Sequence, residues 1–443
     1  MSIDYQKLRL DGVYQQDKDG NLMLRIKVPA GVISSTQAEA VCDIAERLTN
    51  GRLHLTTRGS IELHRLKYEQ LPEAFRRLAA VGLSSRGACG GAVRGIACST
   101  TFNPGFGVCQ TIARRLNRHF AGNPHFEGLP KKFKIGIDSG YAGSRHLIQD
   151  VGLVHVGSAD GHHFFDVWCA GGLGREPQAG FLLEKSVSEE NLIPMIEAIV
   201  RIYRDNTPPP KRLKFLISQI GKDGFRALLE KQLAGQSQPQ PQVTLDGPLT
   251  VPTSGIVEVS VFAGELAAAD FRQLAAMARA EAAGFLALSA DQNVVLLLEN
   301  GENSPGIIKV IKEIEKIGLS GAAPEHQTAF RVCPGSHECK MGLCATRDIA
   351  RDVLTALDAK GLSRSFAVSG CPNSCSHPQL ADVGIVTTRC DKNSDGQREP
   401  RFTLYRRTGD GFGEKTHEDL NREELLERIG NLDAFTESID LDG

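Results

Sequence analysis

Five cysteines in the last third of the chain lie in two short segments that have the composition of tight loops. Cys333, Cys339 and Cys344 lie in the first segment, and Cys371 and Cys375 lie in the second. Gly, Pro, Ser and Asn surround them, and turns built from these residues let several thiolates face one centre and leave backbone N–H groups available to sulfur. Four convergent thiolates suit either a zinc ion or an iron–sulfur cluster.

The spacing of these cysteines favours the cluster. Five residues separate Cys333 from Cys339, whereas structural zinc sites usually have short spacings in both halves. Unrelated reduced thiols are the alternative, because the chain has eleven cysteines and free cysteine is often simply part of a core. We expect Cys344, at the predicted start of a helix, to be such a packed thiol.

The two loops, Cys-x5-Cys and Gly-Cys-Pro-Asn-x-Cys, resemble those of the siroheme-dependent sulfite and nitrite reductases, which take electrons from ferredoxin or a flavoprotein. In that family four cysteines hold a [4Fe–4S] cluster, and the last is also the axial ligand of siroheme iron. The resemblance therefore implies that Cys333, Cys339, Cys371 and Cys375 bind the cluster. It also implies that Cys375 joins the cluster to siroheme. The segment 380–386, Leu-Ala-Asp-Val-Gly-Ile-Val, is similar to the family as well.

Arginine and lysine side chains that could bind a small oxyanion lie far from these cysteines in the sequence. Reduction of such an anion requires fixed guanidinium and ammonium groups that attract it and donate hydrogen bonds to its oxygens. By resemblance, Arg25 and Arg94 are the anion-binding arginines. The segment Pro-Lys-Lys-Phe-Lys, residues 130–134, is similar to the family's lysine motif and implies the same role for Lys132 and Lys134. Alternation along a strand turns these two lysines to one face.

Two further segments resemble siroheme-binding parts of the family. Leu-Thr-Thr-Arg ends at Arg58, which the resemblance pairs with siroheme carboxylates. The glycine turn that contains Gly171 and Gly172 is expected close to siroheme. The stretch after Arg94, residues 98–105, departs from the family pattern, so the shape of the pocket there is not implied.

The cations are also compatible with positions outside a binding site. Arg25 and Lys27 would suit solvated positions on an edge strand. The lysines of residues 131–134, with Arg114, Arg115 and Arg118, would suit a basic surface for an acidic donor protein.

The composition excludes several classes of protein. The chain has 443 residues, a net charge of -2 and only one Trp, which argues against nucleic-acid binding through charge or aromatic stacking. No apolar run is long enough for a membrane span, and the N-terminus has no apolar signal region. We therefore expect a cytoplasmic protein, in which cysteines stay reduced.

An internal repeat organises the chain. A helix over 35–48, strands over 52–57 and 60–66, and a helix over 71–80 are predicted, and residues 284–298 align with 51–65 without a gap. Asp150-Val-Gly-Leu-Val likewise matches Asp382-Val-Gly-Ile-Val. A duplication explains these matches better than a shared strand–helix order alone. With the resemblance, it implies an α+β, internally duplicated sulfite-reductase-like fold, with ferredoxin-like repeats and two mixed α/β cofactor-binding lobes related by a pseudo-twofold.

The predicted domains follow this repeat. Residues 1–90 form the first ferredoxin-like half-repeat and 91–232 the first reductase lobe. The Pro/Gln-rich segment 233–254 is a linker, residues 255–325 form the second half-repeat, and 326–443 form the lobe for the [4Fe–4S] cluster and siroheme. We expect a surface loop over 390–401 and a terminal helix over 418–429.

These features predict an oxidoreductase that reduces sulfite to sulfide with six electrons passed through the cluster. Nitrite reduction to ammonia on the same cofactors is the nearest alternative. Relatives specialised for nitrite tend to carry an amide at the position of Lys134, which favours sulfite. A precorrin-3B synthase-like oxygenase, a dissimilatory subunit and a non-catalytic iron–sulfur redox sensor are further alternatives. The expected partners are a sulfite or nitrite anion and a ferredoxin-like or flavoprotein electron donor.

Overall fold

The computed structural model describes residues 3–98, 105–234, 255–298, 305–322, 329–357, 364–392, 396 and 398–432. These residues form two compact units. The first unit contains the described residues of Met1–Gly172, Pro177–Ser260 and Leu266–Pro324; the second contains those of Leu173–Glu176, Val261–Glu265 and Glu325–Gly443. The predicted linker over 233–254 lies outside the described residues except at its first two positions, and the five predicted domains stay a prediction.

The first half-repeat contributes four of the five strands of one sheet, together with helices. Its elements are α1 (Tyr5–Leu8), β1 (Val13–Gln15), β2 (Leu22–Ile26), β3 (Val32–Ser34), α2 (Ser35–Leu48), β4 (Arg52–Leu55), β5 (Ile61–Leu66) and α3 (Leu71–Ala80). Helix α2 begins with a capping box in which the Ser34 side chain accepts from the Gln37 N–H and the Gln37 side chain accepts from the Ser34 N–H. The predicted helices and strands of this region are confirmed.

The first lobe follows, with the elements β6 (Ala97–Cys98), α4 (Phe106–Phe120), β7 (Ile135–Asp138), β8 (Val151–Ala159), β9 (His162–Cys169), β10 (Phe181–Ser188), α5 (Leu192–Asn206) and α6 (Leu213–Leu233). Strands β6, β7 and β8 are parallel, and β9 and β10 continue the sheet in antiparallel pairing. Large buried side chains such as Phe120, Phe165 and Tyr203 form its core, which anchors the ends of β6 and β7 where candidate site residues lie.

The second half-repeat repeats the first. Its elements are β11 (Ile256–Ser260), β12 (Glu265–Ala267), α7 (Ala268–Glu281), β13 (Phe285–Leu288), β14 (Val294–Leu297), α8 (Pro305–Lys316) and β15 (Ser320–Ala322). Counterparts lie 233 residues apart, as Ser35 and Ala268 begin α2 and α7, and Ile61 and Val294 begin β5 and β14. The turns before β3 and β12 even share a left-handed alanine, Ala30 and Ala263, each with φ 56°. The predicted gap-free alignment is therefore confirmed.

The two half-repeats exchange an edge strand. The first sheet has the order β1-β2-β5-β4-β12 and the other has β15-β11-β14-β13-β3. Helices α2 and α7 pack together, and Arg272 pairs with Asp43 at 2.9 Å and Glu46 at 2.7 Å. Because each sheet is completed by a strand of the other copy, the two half-repeats form a single folding unit.

The second unit repeats the topology of the first lobe. It consists of β16 (Phe330–Val332), α9 (Thr346–Ala356), β17 (Phe366–Ser369), β18 (Val383–Lys392), β19 (Arg398–Arg406), β20 (Glu414–Leu420) and α10 (Arg422–Gly430). Its sheet has the order β16-β17-β18-β19-β20, with the first three strands parallel and the rest antiparallel. Side chains such as Phe366, Ile385 and Leu425 form the core.

Two predictions near the C-terminus are wrong. The segment 390–401, predicted as a surface loop, mostly belongs to β18 and β19, whose polar side chains face solvent while the backbone stays paired. The terminal helix begins at Arg422 rather than near 418, because Asn421 caps it by accepting from the Glu424 N–H. The preceding residues Glu414–Leu420 form β20. Of the helices in the described ranges, none has the length and apolar character needed to cross a membrane.

Candidate active site

Four of the five cysteines singled out from the sequence lie on two loops at the ends of parallel strands of the second unit. Cys333 follows β16, and its backbone N–H donates to the Val368 carbonyl at 3.2 Å, which continues the pairing with β17. Cys339 lies in a turn closed by its own N–H, which donates to the Gly335 carbonyl at 2.9 Å. Cys371 and Cys375 follow β17. Adjacent parallel strands thus bring both loops to one edge of the sheet.

The residues of these loops fit an iron–sulfur cluster. None of these four cysteines belongs to a disulfide in the described part of the chain. Burial raises the pKa of Cys333, an effect to which the neighbouring thiols of Cys375 and Cys371 add. The Gly370 N–H donates to the Cys333 sulfur at 3.2 Å, the type of bond that tunes cluster sulfurs. Within the described ranges, no three His, Cys, Asp or Glu side chains close around one metal ion. A [4Fe–4S] cube does not need this, because its ligands bind four different iron atoms.

Neighbouring residues fix the first loop. The Thr346 hydroxyl donates to the Cys333 carbonyl at 2.6 Å, and Arg347 pairs with Glu338, which precedes Cys339. Cys344 is buried, and its sulfur lies 2.9 Å from the Thr387 hydroxyl. The prediction that Cys344 is a packed thiol is confirmed.

In the first unit, Arg25 lies on β2 opposite Glu62 of β5. Its guanidinium donates to one Glu62 oxygen through Nε at 2.8 Å and through Nη2 at 2.5 Å, and Nη1 donates to the Ala88 carbonyl at 3.3 Å. Burial acts to raise the pKa of Glu62, but Arg25 and a hydrogen bond with His64 outweigh it and the net shift is downward. Strand β2 has neighbours on both sides, so the edge-strand alternative for Arg25 is wrong.

Arg94 lies close to Arg25. It is buried, and Nη2 donates to the Gly90 carbonyl at 2.9 Å. Burial raises the pKa of the Cys89 thiol, while the positive charges of Arg25, Arg94 and Lys132 act to lower it. Arg25 Nη1 lies 3.5 Å from the Cys89 sulfur. Arg25 therefore contacts a buried thiol on whose pKa the charges of Arg94 and Lys132 also act.

The lysine motif leads into β7. Phe133 is fully buried, whereas Lys132 and Lys134 are half-buried. Both lysines precede the strand, which begins at Ile135, so their position on one strand face stays a prediction. The Lys134 N–H donates to Asp150 Oδ2 at 2.7 Å. The same oxygen accepts from Arg212 Nη2 at 2.6 Å, in an ion pair that is almost completely buried. This buried pair fixes the backbone of Lys134.

The cations predicted to form a basic surface separate into two groups. Arg114, Arg115, Arg118 and Lys131 are exposed, the three arginines on α4. Lys132 and Lys134 do not belong with them, since both side chains are half-buried.

Arg58 lies in the turn between β4 and β5 and binds groups of its own unit. Nη1 donates to Gln149 Oε1 at 2.8 Å, and Nη2 donates to the carbonyls of Gly95 and Ile135, both at 3.0 Å. Burial lowers the pKa of Arg58 to about 9, and the charge of Arg94 contributes. The contact of Arg58 with siroheme carboxylates stays a prediction.

Contacts within the chain explain the glycines of the turn at positions 171 and 172. A Cβ on Gly171 would lie 2.1 Å from the Leu147 carbonyl oxygen, and one on Gly172 would lie 2.4 Å from Arg212 Nη1. Close packing against backbone therefore requires glycine at position 171 whatever ligand binds there, whereas at position 172 a Cβ would displace the buried Arg212 guanidinium. A role next to siroheme stays a prediction for both.

Sequence reasoning missed several residues that support this region. Glu62, Asp150 and Arg212 are nearly buried ion-pair partners, and Lys27 is a buried lysine whose pKa burial lowers to about 8. The partners of these residues come from distant segments, which no local pattern reveals.

Comparisons with known proteins match this architecture. The family model described as nitrite/sulfite reductase ferredoxin-like half domain matches residues 14–81. The model described as nitrite and sulphite reductase 4Fe-4S domain matches residues 97–237, which is the first lobe rather than the lobe that carries the four cysteines. The repeated topology of the two lobes explains why such a model recognises the first.

Among similar proteins, a ferredoxin–nitrite reductase of Leptolyngbya laminosa is 28% identical over 432 residues, 90% of this chain and 82% of the relative. A ferredoxin-dependent sulfite reductase of Mycolicibacterium paratuberculosis is 26% identical over 412 residues, 85% of this chain and 72% of the relative. The solved structure of the Mycobacterium tuberculosis NirA protein has a TM-score of 0.82 and 22% identity, and the match covers 97% of this chain and 87% of that one.

The structural likeness establishes the α+β reductase fold with its ferredoxin-like halves. The family models and the relatives together indicate a [4Fe–4S] cluster and siroheme as cofactors, and they identify an oxidoreductase. The chain belongs to the siroheme- and [4Fe–4S]-dependent sulfite and nitrite reductase family.

Proposed function

We propose that the chain is a sulfite reductase that converts sulfite to sulfide with six electrons. In this proposal Cys333, Cys339, Cys371 and Cys375 bind the cluster, and Cys375 also binds siroheme. When bound, these cofactors supply the single-electron transfers that the reduction requires. The relatives divide between sulfite and nitrite reductases by name, so the choice of substrate rests on residues of this chain.

The observation that carries the choice is the second lysine of the motif. Sulfite has three oxygens and carries up to two negative charges, whereas nitrite has two oxygens and one charge. An additional fixed ammonium group therefore favours sulfite over nitrite. Lys134 supplies that group, and its backbone is held at 2.7 Å by the buried carboxylate of Asp150. Because the backbone is already fixed, the ordering cost of binding an anion falls on the Lys134 side chain alone.

The other cations complete the anion site in this proposal. Arg25 stays charged, because Cys89 and Glu62 raise its pKa against the opposing effect of burial. Glu62 also balances part of its charge. Arg94 is held by the backbone carbonyls of Gly87 and Gly90, and because these partners are neutral they leave its charge available to a ligand. The two arginines orient the anion, and the half-buried lysines donate protons as its oxygens leave.

Nitrite reduction is the second candidate, and the relatives named as nitrite reductases favour it. An oxygenase that modifies precorrin and a non-catalytic sensor find no support in the relatives named above. The electron donor is proposed to be ferredoxin-like or a flavoprotein. Among related sulfite reductases, one is named for ferredoxin and another for NADPH.

The test begins with anaerobic purification and a visible spectrum. We expect a siroheme Soret band with a long-wavelength band, and a colourless, iron-free protein would refute the proposal. Turnover with reduced methyl viologen is then measured for sulfite and nitrite. A higher kcat/KM for sulfite supports the proposal, and a higher value for nitrite replaces it with the second candidate.

A further inference from the structure

Arg331 is a buried cation next to the candidate cluster loops. It lies on β16, two residues before Cys333, and only 6% of its surface is exposed. Its Nε–H donates to the Ser376 carbonyl at 3.0 Å. Ser376 directly follows Cys375, so Arg331 contacts the second cysteine loop and shares a strand with the first.

The register of the sheet places Arg331 on the same side as the cysteine loops. Arg331 is paired with Ala367 of β17, and Val332 with Val368. Val332 and Val368 point into the apolar core of the second unit. Because side chains alternate along a strand, Arg331 emerges on the face away from that core, and Cys333 emerges on the same face as Arg331.

The carbonyl that Arg331 contacts is itself fixed. The hydroxyls of Ser369 and Ser376 lie 2.7 Å apart, and the Ser376 N–H donates to the Ser369 hydroxyl at 3.2 Å. All three side chains are buried. The guanidinium therefore has a fixed position in a region with little water to screen its charge.

We propose that Arg331 raises the reduction potential of the cluster. Reduction adds one negative charge to the cluster, and a fixed positive charge nearby stabilises the reduced form more than the oxidised form. A fixed negative charge at this position would have the opposite effect and lower the reduction potential. This inference rests on the proposed function, since it takes the four cysteines as cluster ligands.

Two variants separate the charge from the hydrogen bond. Arg331→Met removes the charge and keeps an unbranched side chain of similar length. Arg331→Lys keeps the charge but loses the planar guanidinium that reaches the Ser376 carbonyl. The midpoint potential of the cluster is measured by anaerobic redox titration of the whole holoenzyme, with the EPR signal of the reduced cluster as readout.

In Arg331→Met we expect the ratio of reduced to oxidised cluster, measured at a fixed solution potential, to fall about tenfold. For a one-electron couple this corresponds to a midpoint potential about 59 mV lower. Arg331→Lys should stay near the wild-type midpoint. An unchanged midpoint in Arg331→Met, with an intact EPR signal, would overturn the proposal. An equal fall in both variants would also overturn it, because the hydrogen bond rather than the charge would then be responsible.

Iron and labile sulfide contents are measured on every sample, because either substitution can impair cluster retention. If Arg331→Met loses iron and Arg331→Lys keeps it with the wild-type midpoint, the requirement for charge is supported. If both lose iron, Arg331 acts as a structural clamp and the proposal fails. Ser369→Ala disturbs Ser376 without changing charge and should leave the midpoint unaltered. A wild-type protein without a cluster signal would instead refute the proposed function.

Discussion

Asp150 fixes the backbone of Lys134, and the same carboxylate binds Arg212. Asp150 Oδ2 accepts from the Lys134 N–H at 2.7 Å and from Arg212 Nη2 at 2.6 Å. The second lobe repeats half of this arrangement, because Asp382 Oδ2 accepts from the Ser365 N–H at 2.7 Å and from its hydroxyl at 2.8 Å. The duplicated aspartate is thus a backbone clamp in both lobes, and only the first lobe adds a buried cation among the described residues.

This difference predicts unequal effects of the same substitution. Asp150→Asn leaves the buried Arg212 without its carboxylate and should lower the free energy of unfolding by about 3–5 kcal/mol. Asp382→Asn, the matched control, loses only hydrogen bonds to neutral groups and should cost about 1–2 kcal/mol. Urea unfolding at neutral pH measures both. Equal losses would show that the Asp150–Arg212 pair adds nothing to the clamp.

The duplication was predictable from sequence because it rests on local patterns. The alignment of 284–298 with 51–65 preserves the alternation of strands and the glycine that precedes them, and the structure keeps that register from β4–β5 to β13–β14. The cysteine loops were also visible, since their spacing and turn residues are contiguous in sequence. Strand exchange between the half-repeats was not predictable, because β3 and β12 carry no signal of which sheet they join.

The partners of the cations were not predictable for a similar reason. Glu62 and Arg25 are 37 positions apart, and Arg212 and Asp150 are 62 apart. Each pair forms only when the sheet register brings two segments together. Polar strands such as β18 and β19 were misjudged because their charged faces have the composition of a loop, whereas backbone pairing decides their structure.

The pairing of Glu62 with Arg25 predicts an effect on anion binding. Glu62 competes with an incoming anion for the Arg25 guanidinium, which it contacts at 2.5 Å. Glu62→Gln keeps the shape and removes the charge, so KM for sulfite should fall several-fold while kcat changes less. Glu73→Gln, at a surface pair with Arg77 on α3, is the control and should leave KM unchanged. A rise of KM in Glu62→Gln would contradict the competition.

The same glutamate predicts a dependence of stability on acid. The net pKa of Glu62 in the folded protein lies below its ordinary value of 4.5, so its contribution to stability is present above that pH and is lost as the pH falls below it. The difference in unfolding free energy between wild type and Glu62→Gln should therefore narrow steadily from about pH 5 to about pH 3. Urea unfolding across that range measures it. A constant difference would mean that the carboxylate titrates normally.

Lys27 predicts a second rise of stability with pH, in the alkaline range. Burial lowers its pKa from 10.5 to about 8 in the folded protein, with Glu127 opposing and Arg86 reinforcing the shift. The folded state therefore binds fewer protons than the unfolded state between these values, and the wild type should gain about 3 kcal/mol relative to Lys27→Met on going from pH 7 to pH 10.5. Unfolding free energies at the two ends measure the gain. Lys131→Met, at an exposed lysine, should show no such difference.

Lys134 predicts substrate preference. Replacing it with Asn removes one positive charge near the anion and keeps a hydrogen-bond donor, which penalises sulfite more than nitrite. The ratio of kcat/KM for sulfite to that for nitrite should fall about tenfold, a loss of about 1.4 kcal/mol in discrimination. Lys131→Asn alters the exposed lysine of the same motif and should leave the ratio unchanged. If the two variants behave alike, Lys134 does not select the substrate.

Cys375 and Cys344 predict opposite outcomes for the same chemical change. Serine is a poor ligand for iron–sulfur clusters because its oxygen is harder than a thiolate. Cys375→Ser should therefore lose most labile sulfide and the siroheme bands, since the proposal assigns both cofactors to that sulfur. Cys344→Ser should keep both, because the Cys344 sulfur is buried against the Thr387 hydroxyl at 2.9 Å and serine retains a hydrogen bond there. Iron, sulfide and absorbance are measured on anaerobically purified protein. Loss of the cofactors from Cys344→Ser and their retention in Cys375→Ser would contradict the assignment. Cys344 would then replace Cys375 in the proposed set of ligands.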